Sequence, residues 1–304
     1  MLKGPTAGSE GEVKVKSICD RLTGGHISDN RLFYFEMVVL SAPMDLGRFL
    51  FLPRRRLVGV ALKLTLKPEV LARLFSDHER YNIKIKHLFI SSLDTSRLSV
   101  IVFLDVTDSK IQIEDLLDQH EKLGLIEVQK VIKSPVEGFV ADTFSLPLTA
   151  FGPRAVIFRE CLYKELFLGL RRWFSRGSET FLYEVGCAAG LSFGKTHKEQ
   201  AKGVGLEDPV QIYTHISTAI FQWAGFGRIE VRELTPEGGN ILVYDSFECE
   251  LGKGSVMPYS QFVRGIIAGT LSELFGRIYN VTEESCIAKG DPVCRFVAKA
   301  IQKG

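Results

Sequence analysis

Two kinds of hydrophobic patterning divide this chain. Between residues 57 and 132, short alternating runs exchange places with segments of helical spacing. Residues 57–66 (LVGVALKLTL) alternate as a strand, and 68–81 (PEVLARLFSDHERY) carry apolar residues three and four apart, with Pro68 suited to a first helical turn. Strands follow over 83–93 and 98–106 around the polar turn Asp94-Thr95-Ser96-Arg97. A short amphipathic helix over 113–123 ends at Gly124, and 125–132 form a last strand. The order βαββαβ is ferredoxin-like. Upstream, residues 31–40 (RLFYFEMVVL) have strand composition, and 1–28, with Gly4-Pro5-Thr6-Ala7-Gly8-Ser9, read as an unstructured arm.

From Ala155 the pattern changes. Helices are expected over 157–174, 180–202 and 208–223, the last with Asp208 as N-cap and Pro209 in its first turn. A hairpin over 227–234 and 240–247 turns at Pro236-Glu237-Gly238-Gly239, a helix covers 258–275, and 277–286 with 293–300 form a closing hairpin. The second part is therefore α+β, with helices on an antiparallel sheet. Residues 134–155, rich in Pro and Gly, read as a connection able to lend an extended strand to the second domain.

The chain has 304 residues, 45% apolar and 24% charged, enough for two cores. A net charge of +2 gives no global attraction to nucleic acid or anionic lipid. Arg54-Arg55-Arg56 reads as a solvated turn, and with Arg171-Arg172 it is the only local basic feature to set against the expectation of no direct DNA binding. No run is apolar enough to span a bilayer, and six scattered cysteines (19, 161, 187, 249, 286, 294) do not make a disulfide scaffold, so a cytoplasmic protein is expected.

The chemistry is concentrated near the C-terminus. Glu283-x-x-Cys286 is followed by Gly290-Asp291-Pro292 and Cys294, a loop that can fold a carboxylate and two thiols onto one point. Three states of the thiols stay open: a zinc site, a Cys286–Cys294 disulfide, and free buried cysteines, which pack as small hydrophobes. There is no Ser-His-Asp order, carboxylate pair, phosphate loop or dinucleotide fingerprint, and the histidines at 26, 78, 87, 120, 197 and 215 do not cluster. No enzyme is expected on these grounds. His197, in Lys195-Thr196-His197-Lys198-Glu199, reads as solvated, and His215 as a core or interface imidazole, though the one histidine that could donate into a pocket.

Two resemblances add to this reading. The βαββαβ block is similar to the ACT regulatory domain, which senses amino acids or pairs into dimers. Where that family carries an Asp-x-Pro-Gly-type turn, this chain has Leu66-Lys67-Pro68-Glu69, so a dimerising or docking module is expected instead of amino-acid binding. The second part resembles the 4-vinyl reductase domain, through Tyr183-Glu184-x-Gly186-x-x-x-Gly190, Asp245-Ser246-Phe247-Glu248, Phe262-Val263-Arg264-Gly265-x-x-x-Gly269 with Gly276, and Glu283-x-x-Cys286…Gly290-Asp291-x-x-Cys294-x-Phe296. The same fold serves phenol sensors and resembles core subunits of vesicle-tethering complexes. In the phenol sensors, zinc takes the Glu-x-x-Cys…Cys ligands and an upstream cysteine. The resemblance places Ser260 at that upstream position, so Glu283, Cys286 and Cys294 need a fourth ligand from Cys249, Ser260 or water.

The expected organisation is an arm (1–28), an ACT-like ferredoxin-like domain (29–135) and a 4-vinyl-reductase-like domain (136–304). The expected function is a sensor or regulatory protein, a homodimer, that binds a small hydrophobic or aromatic ligand. The ligand residues are expected at Tyr213, Ile216, Phe221, Trp223, Phe262, Gly265, Ile266 and Gly269. Gly265 and Gly269 are expected to leave room for the ligand, and Gly186, Gly190 and Gly194 to serve helix packing. The alternatives are an enzyme or carrier of tetrapyrrole or aromatic metabolism and a structural adaptor like the tethering subunits.

Overall fold

The structure is a computed structural model that describes residues 43–65, 67–91, 97–175 and 177–301. The expected arm, the strand at 31–40, Leu66 and the turn residues Asp94, Thr95 and Ser96 lie outside the described residues. The chain divides into two compact units, Met1–Ala155 and Val156–Gly304. Among the described residues, no helix is long and apolar enough to cross a membrane.

In the first unit, β2 (Leu57–Leu64), α1 (Pro68–Arg80), β3 (Lys84–Ser91), β4 (Leu98–Asp105), α2 (Ile113–Lys122) and β5 (Ile126–Lys133) follow one another. The four strands form one antiparallel sheet in the order β3-β4-β2-β5. The central strand β2 is buried along most of its length. Val60, Leu62 and Leu64 meet Leu116 and Leu117 of α2, while Leu57, Phe103 and Ile132 belong to a second cluster with Leu50 and Val140. That second cluster is closed by a two-stranded ribbon, β1 (Phe49–Phe51) with β6 (Phe139–Ala141). The connection at 134–155 thus supplies a strand to the first unit, not to the second. The physical reason is Val140, fully buried against Leu57 and Phe103, with Asp142 paired to Arg48 beside it. His120 is buried and its Nε2 lies 3.1 Å from Asp77 Oδ2, with the His78 ring 6.4 Å away, so these two histidines do adjoin.

The second unit begins with α3 (Glu160–Phe174) and α4 (Gly177–Lys202). A helix we number α5 runs through Pro209–Gln211, Ile212–Ser217 and Thr218–Trp223, its middle segment wound as a π-helix. The Asp208 side chain caps it by accepting from Val210 N. Then come β7 (Arg228–Thr235), β8 (Gly238–Tyr244), α6 (Phe247–Leu251), α7 (Gln261–Phe275), β9 (Tyr279–Ser285) and β10 (Cys294–Ala300). The sheet is antiparallel in the order β7-β8-β10-β9. Helix α7 is the spine of the unit: Val263, Ile267 and Leu271 are essentially fully buried and share a core with Ile241, Val243, Val281 and Phe296 of the sheet.

Helices α4 and α7 approach backbone to backbone. A Cβ at Gly190 would sit 2.3 Å from Ile266 O, and one at Gly269 would sit 2.1 Å from Cys187 O. Gly186 and Gly265 face each other in the same way. The expectation that Gly265 and Gly269 open space for a ligand is therefore corrected, since both glycine sets are used up in one helix contact. The strand expected over 240–247 ends at Tyr244, because Asp245 turns the chain at φ 51° and releases Phe247–Leu251 as a helix.

Candidate functional site

A cavity of about 210 Å³ lies among α4, α5, β7 and α7. Phe193 and His197 come from α4, while Tyr213, Ser217, Ile220, Phe221 and Trp223 come from α5. Ala224, Phe226 and Ile229 follow, and Ile266, Ile267 and Thr270 complete the wall from α7. Tyr213 and Ser217 lie four residues apart within the π-helical segment, and both are buried. Such segments recur at functional sites, where they re-aim side chains within a helix.

The polar groups are few. Tyr213 is fully buried, and its Oη has no hydrogen-bond partner. Burial raises its pKa, so the hydroxyl keeps its proton as a donor. His197 Nδ1 lies 2.8 Å from Ser217 Oγ, and burial pushes the imidazole down to about 4, so it is neutral at pH 7. Its ring stacks on Phe193. The Thr270 hydroxyl is taken by Gly190 O. The wall thus carries no formal charge and one unpaired donor.

Of the expected ligand residues, Tyr213, Phe221, Trp223 and Ile266 reach this wall, with Trp223 largely exposed at its rim. Ile216 packs on the general core, and Phe262 meets Phe167, Phe226 and Phe247 edge to face in an aromatic cluster. Gly265 and Gly269 belong to the α4–α7 contact. His215, expected in the core or at an interface, is exposed, and it is not among the residues that line the cavity. His197, read as solvated from its charged neighbours, is the imidazole in the wall. A helical repeat drawn from Phe193 through His197 to Ala201 would have shown that its face is apolar. The Arg171-Arg172 pair is not a free basic patch, since Arg171 bonds Glu248 and Arg172 bonds Glu165.

A second centre lies at the other end of α7. Cys249 of α6, Glu283 of β9, Cys286 and Cys294 are all buried, and one ligand atom from each falls within 4.8 Å of the others. Cys249 Sγ is 3.4 Å from both Cys286 Sγ and Cys294 Sγ, and all three thiols are free. Four ligands around one zinc at about 2.3 Å would place sulfurs roughly 3.8 Å apart, so a modest expansion fits this group. Backbone amides are aimed at the sulfurs: Tyr259 N donates to Cys286 Sγ at 3.4 Å and Ile287 N to Cys294 Sγ at 3.3 Å. Ser260 N donates to Glu283 Oε2, while Glu283 Oε1 is buried without a partner.

The electrostatics of this group favour a cation. Burial, then the neighbouring Cys286, pushes Glu283 up to about 8. The hydrogen bond with Cys286 leads the causes that push Cys249 up to about 12. Hydrogen bonds from Cys249 and Cys294 lower Cys286. Alone, the group sheds one proton readily and resists losing more; a divalent ion supplies the charge that several anionic ligands need. Ser260 Oγ, 2.7 Å from Cys249 Sγ, hydrogen-bonds that sulfur and need not be a ligand itself.

The family model of the 4-vinyl reductase domain matches residues 240–300, a stretch that contains every member of this thiol–carboxylate group. The chain is 37% identical over 90 residues to an uncharacterized protein of Methanocaldococcus jannaschii, covering 29% of this chain and 38% of that protein. A second uncharacterized protein of the same organism is 25% identical over 169 residues, covering 55% of this chain and 88% of the relative. The chain thus spans less than half the length of the first of these relatives. Among solved structures, the phenol-responsive sensory domain of the transcription activator PoxR, with phenol, is similar at TM-score 0.44 and 18% identity, covering 49% of this chain and 77% of that one. A vinyl-4-reductase family protein of Methanocaldococcus jannaschii is similar at TM-score 0.36 and 22% identity, covering 49% and 85%.

Proposed function

We propose that this protein is a ligand-binding sensor whose second unit takes one small, neutral, ring-sized molecule into the α4–α5–α7 cavity. The observation that carries the reading is Tyr213 Oη, a fully buried hydroxyl with no partner in a largely apolar wall. An unpaired buried donor costs roughly 1–3 kcal/mol, and an acceptor on a ligand removes that cost. An engineered cavity of about 150 Å³ holds benzene, so about 210 Å³ suits a substituted single ring. A tetrapyrrole is far larger, and a solid-cored adaptor would have no such hollow. Both alternatives are therefore less well supported.

In this reading Tyr213 orients the ligand by donating to its acceptor, while Phe221, Ile266 and Ile267 exclude water. His197 stays neutral and fixed by Ser217, so it adds no charge that would have to be buried with the ligand. Cys249, Glu283, Cys286 and Cys294 would hold a zinc ion, which would supply a rigid structural cross-link among α6, β9 and the loop before β10. The first unit, with its βαββαβ order, is ACT-like and serves to pair two copies or to pass the signal to a partner.

Trp223 at the rim provides the test by fluorescence. Benzaldehyde, which carries an acceptor, is expected to bind about tenfold more tightly than toluene. Tyr213→Phe is expected to abolish that preference while leaving toluene binding within about twofold. Equal preference in both proteins, or no binding of either probe, would overturn the reading.

A further inference from the structure

Helix α6 is five residues long, yet three consecutive side chains reach three different places. Phe247 packs on Phe226 of the cavity wall at a centroid distance of 5.2 Å, and on Phe167 and Tyr163 of α3 at 5.3 and 5.7 Å. Glu248 is fully buried and accepts from Phe262 N at 3.2 Å and Val263 N at 3.0 Å, the first amides of α7. It also accepts from Arg171 Nη2 of α3 at 2.7 Å. Cys249 joins the thiol group.

Arg171 closes the circuit from the other side. Its Nη2 also donates to Tyr259 O at 2.8 Å, and its guanidinium lies 3.8 Å over the Tyr259 ring. Tyr259 N is the amide donor to Cys286 Sγ. The guanidinium therefore holds the Glu248 carboxylate, next to Cys249, and the Tyr259 backbone, whose amide meets Cys286. Helix α3 has few other anchors: Phe167 and Gly169 are its only buried residues. It is also the first helix after the boundary between the two units at Ala155 and Val156.

We propose that Arg171 and Glu248 are positioning residues for the thiol centre, and that metal occupancy there controls whether α3 stays docked. This rests on the zinc reading given above. With an ion bound, Cys249 is fixed, α6 cannot shift, and Glu248 and Phe247 remain in place to receive Arg171 and Phe167. With the ion removed, α6 loses one of its three anchors and α3 loosens with it. By linkage, whatever undocks α3 weakens the metal site by the same factor. The outcome is an order change, set by zinc, in the first helix of the second unit.

The test is hydrogen exchange on the full chain, followed by peptide, with zinc bound and after chelation. Chelation is expected to raise exchange in 160–174 at least tenfold more than in β8 or β7, which hold no ligand. Arg171→Met is expected to weaken zinc binding about 10- to 100-fold and to raise the alkylation rate of Cys249 above those of Cys286 and Cys294. If the wild type takes up no zinc, this proposal and the zinc reading fall together. If zinc binds but chelation leaves α3 as protected as the sheet, or if Arg171→Met binds zinc within twofold of wild type, only this proposal is overturned. Should Arg171→Met not fold, the chelation experiment alone decides.

Discussion

Ser260 Oγ and Cys249 Sγ are 2.7 Å apart, and only one of the two can serve as a thiolate. The geometry favours Cys249, since its sulfur touches both other thiols. Cys249→Ser is therefore expected to lower zinc affinity by about 100-fold or more, whereas Ser260→Ala should retain one zinc per chain by elemental analysis. Zinc retained by the first variant and lost by the second would reverse the assignment. His197 makes a separate prediction at the same scale. Its folded pKa of about 4 lies below the ordinary histidine value of 6.5. Above pH 6.5 it is neutral in both states and costs nothing. As the pH falls from 6.5 toward 4, the unfolded chain takes up a proton that the folded chain refuses, so stability drops, by about 3 kcal/mol. Melting curves across that window should show a shallower loss in His197→Gln. Residues of this kind are hard to read from sequence: Lys195, Lys198 and Glu199 make the stretch look solvated, while the partner of the buried imidazole, Ser217, comes from another helix. Glu283, Cys286 and Cys294 were legible because one hairpin carries all three; Cys249 was legible only as one of several candidates for the fourth place.

At the scale of elements, the α4–α7 contact leaves no room for a side chain at its glycines. Gly190→Ala would push a methyl into Ile266 O and Thr270 N, which are backbone atoms and cannot rotate away. A loss of about 2–4 kcal/mol is expected in chemical denaturation of the second unit. Gly177, with nothing within 4 Å of a built Cβ, is the control; alanine there should be neutral or stabilising by up to about 1 kcal/mol. The strands and long helices were legible in the periodicity to within a few residues at each end. The small elements were not. Phe247–Leu251 alternates apolar and polar like a strand, and only the turn at Asp245 makes it a helix. The β1–β6 ribbon is a pairing of two three-residue strands about ninety residues apart, with no local signal to announce it. The glycine repeats on α4 and α7 were visible, but their use depends on which helix faces which, a tertiary fact.

Among the described residues, the two units have separate cores, two clusters in the first and one in the second. The second unit, with its own sheet, spine helix and thiol centre, is expected to fold alone. A chain of residues 156–304 should bind benzaldehyde within about twofold of the full protein and run as a monomer in light scattering, while the full protein is expected to run as a dimer through its first unit. A dimeric second unit, or a monomeric full chain, would remove the pairing role proposed for the first unit. Ligand occupancy can alter such an assembly only by binding one arrangement better than another, and α6 is the element placed to register both the cavity and the thiol centre.

The sensor role depends above all on the hollow beside Tyr213. A crystal soaked in 4-bromophenol and measured at the bromine edge locates the ring without prior assumption. One anomalous peak is predicted between Phe221 and Ile266, with the phenol oxygen within hydrogen-bond distance of Tyr213 Oη. Bromine bound only elsewhere, or a cavity filled by its own side chains, would contradict it.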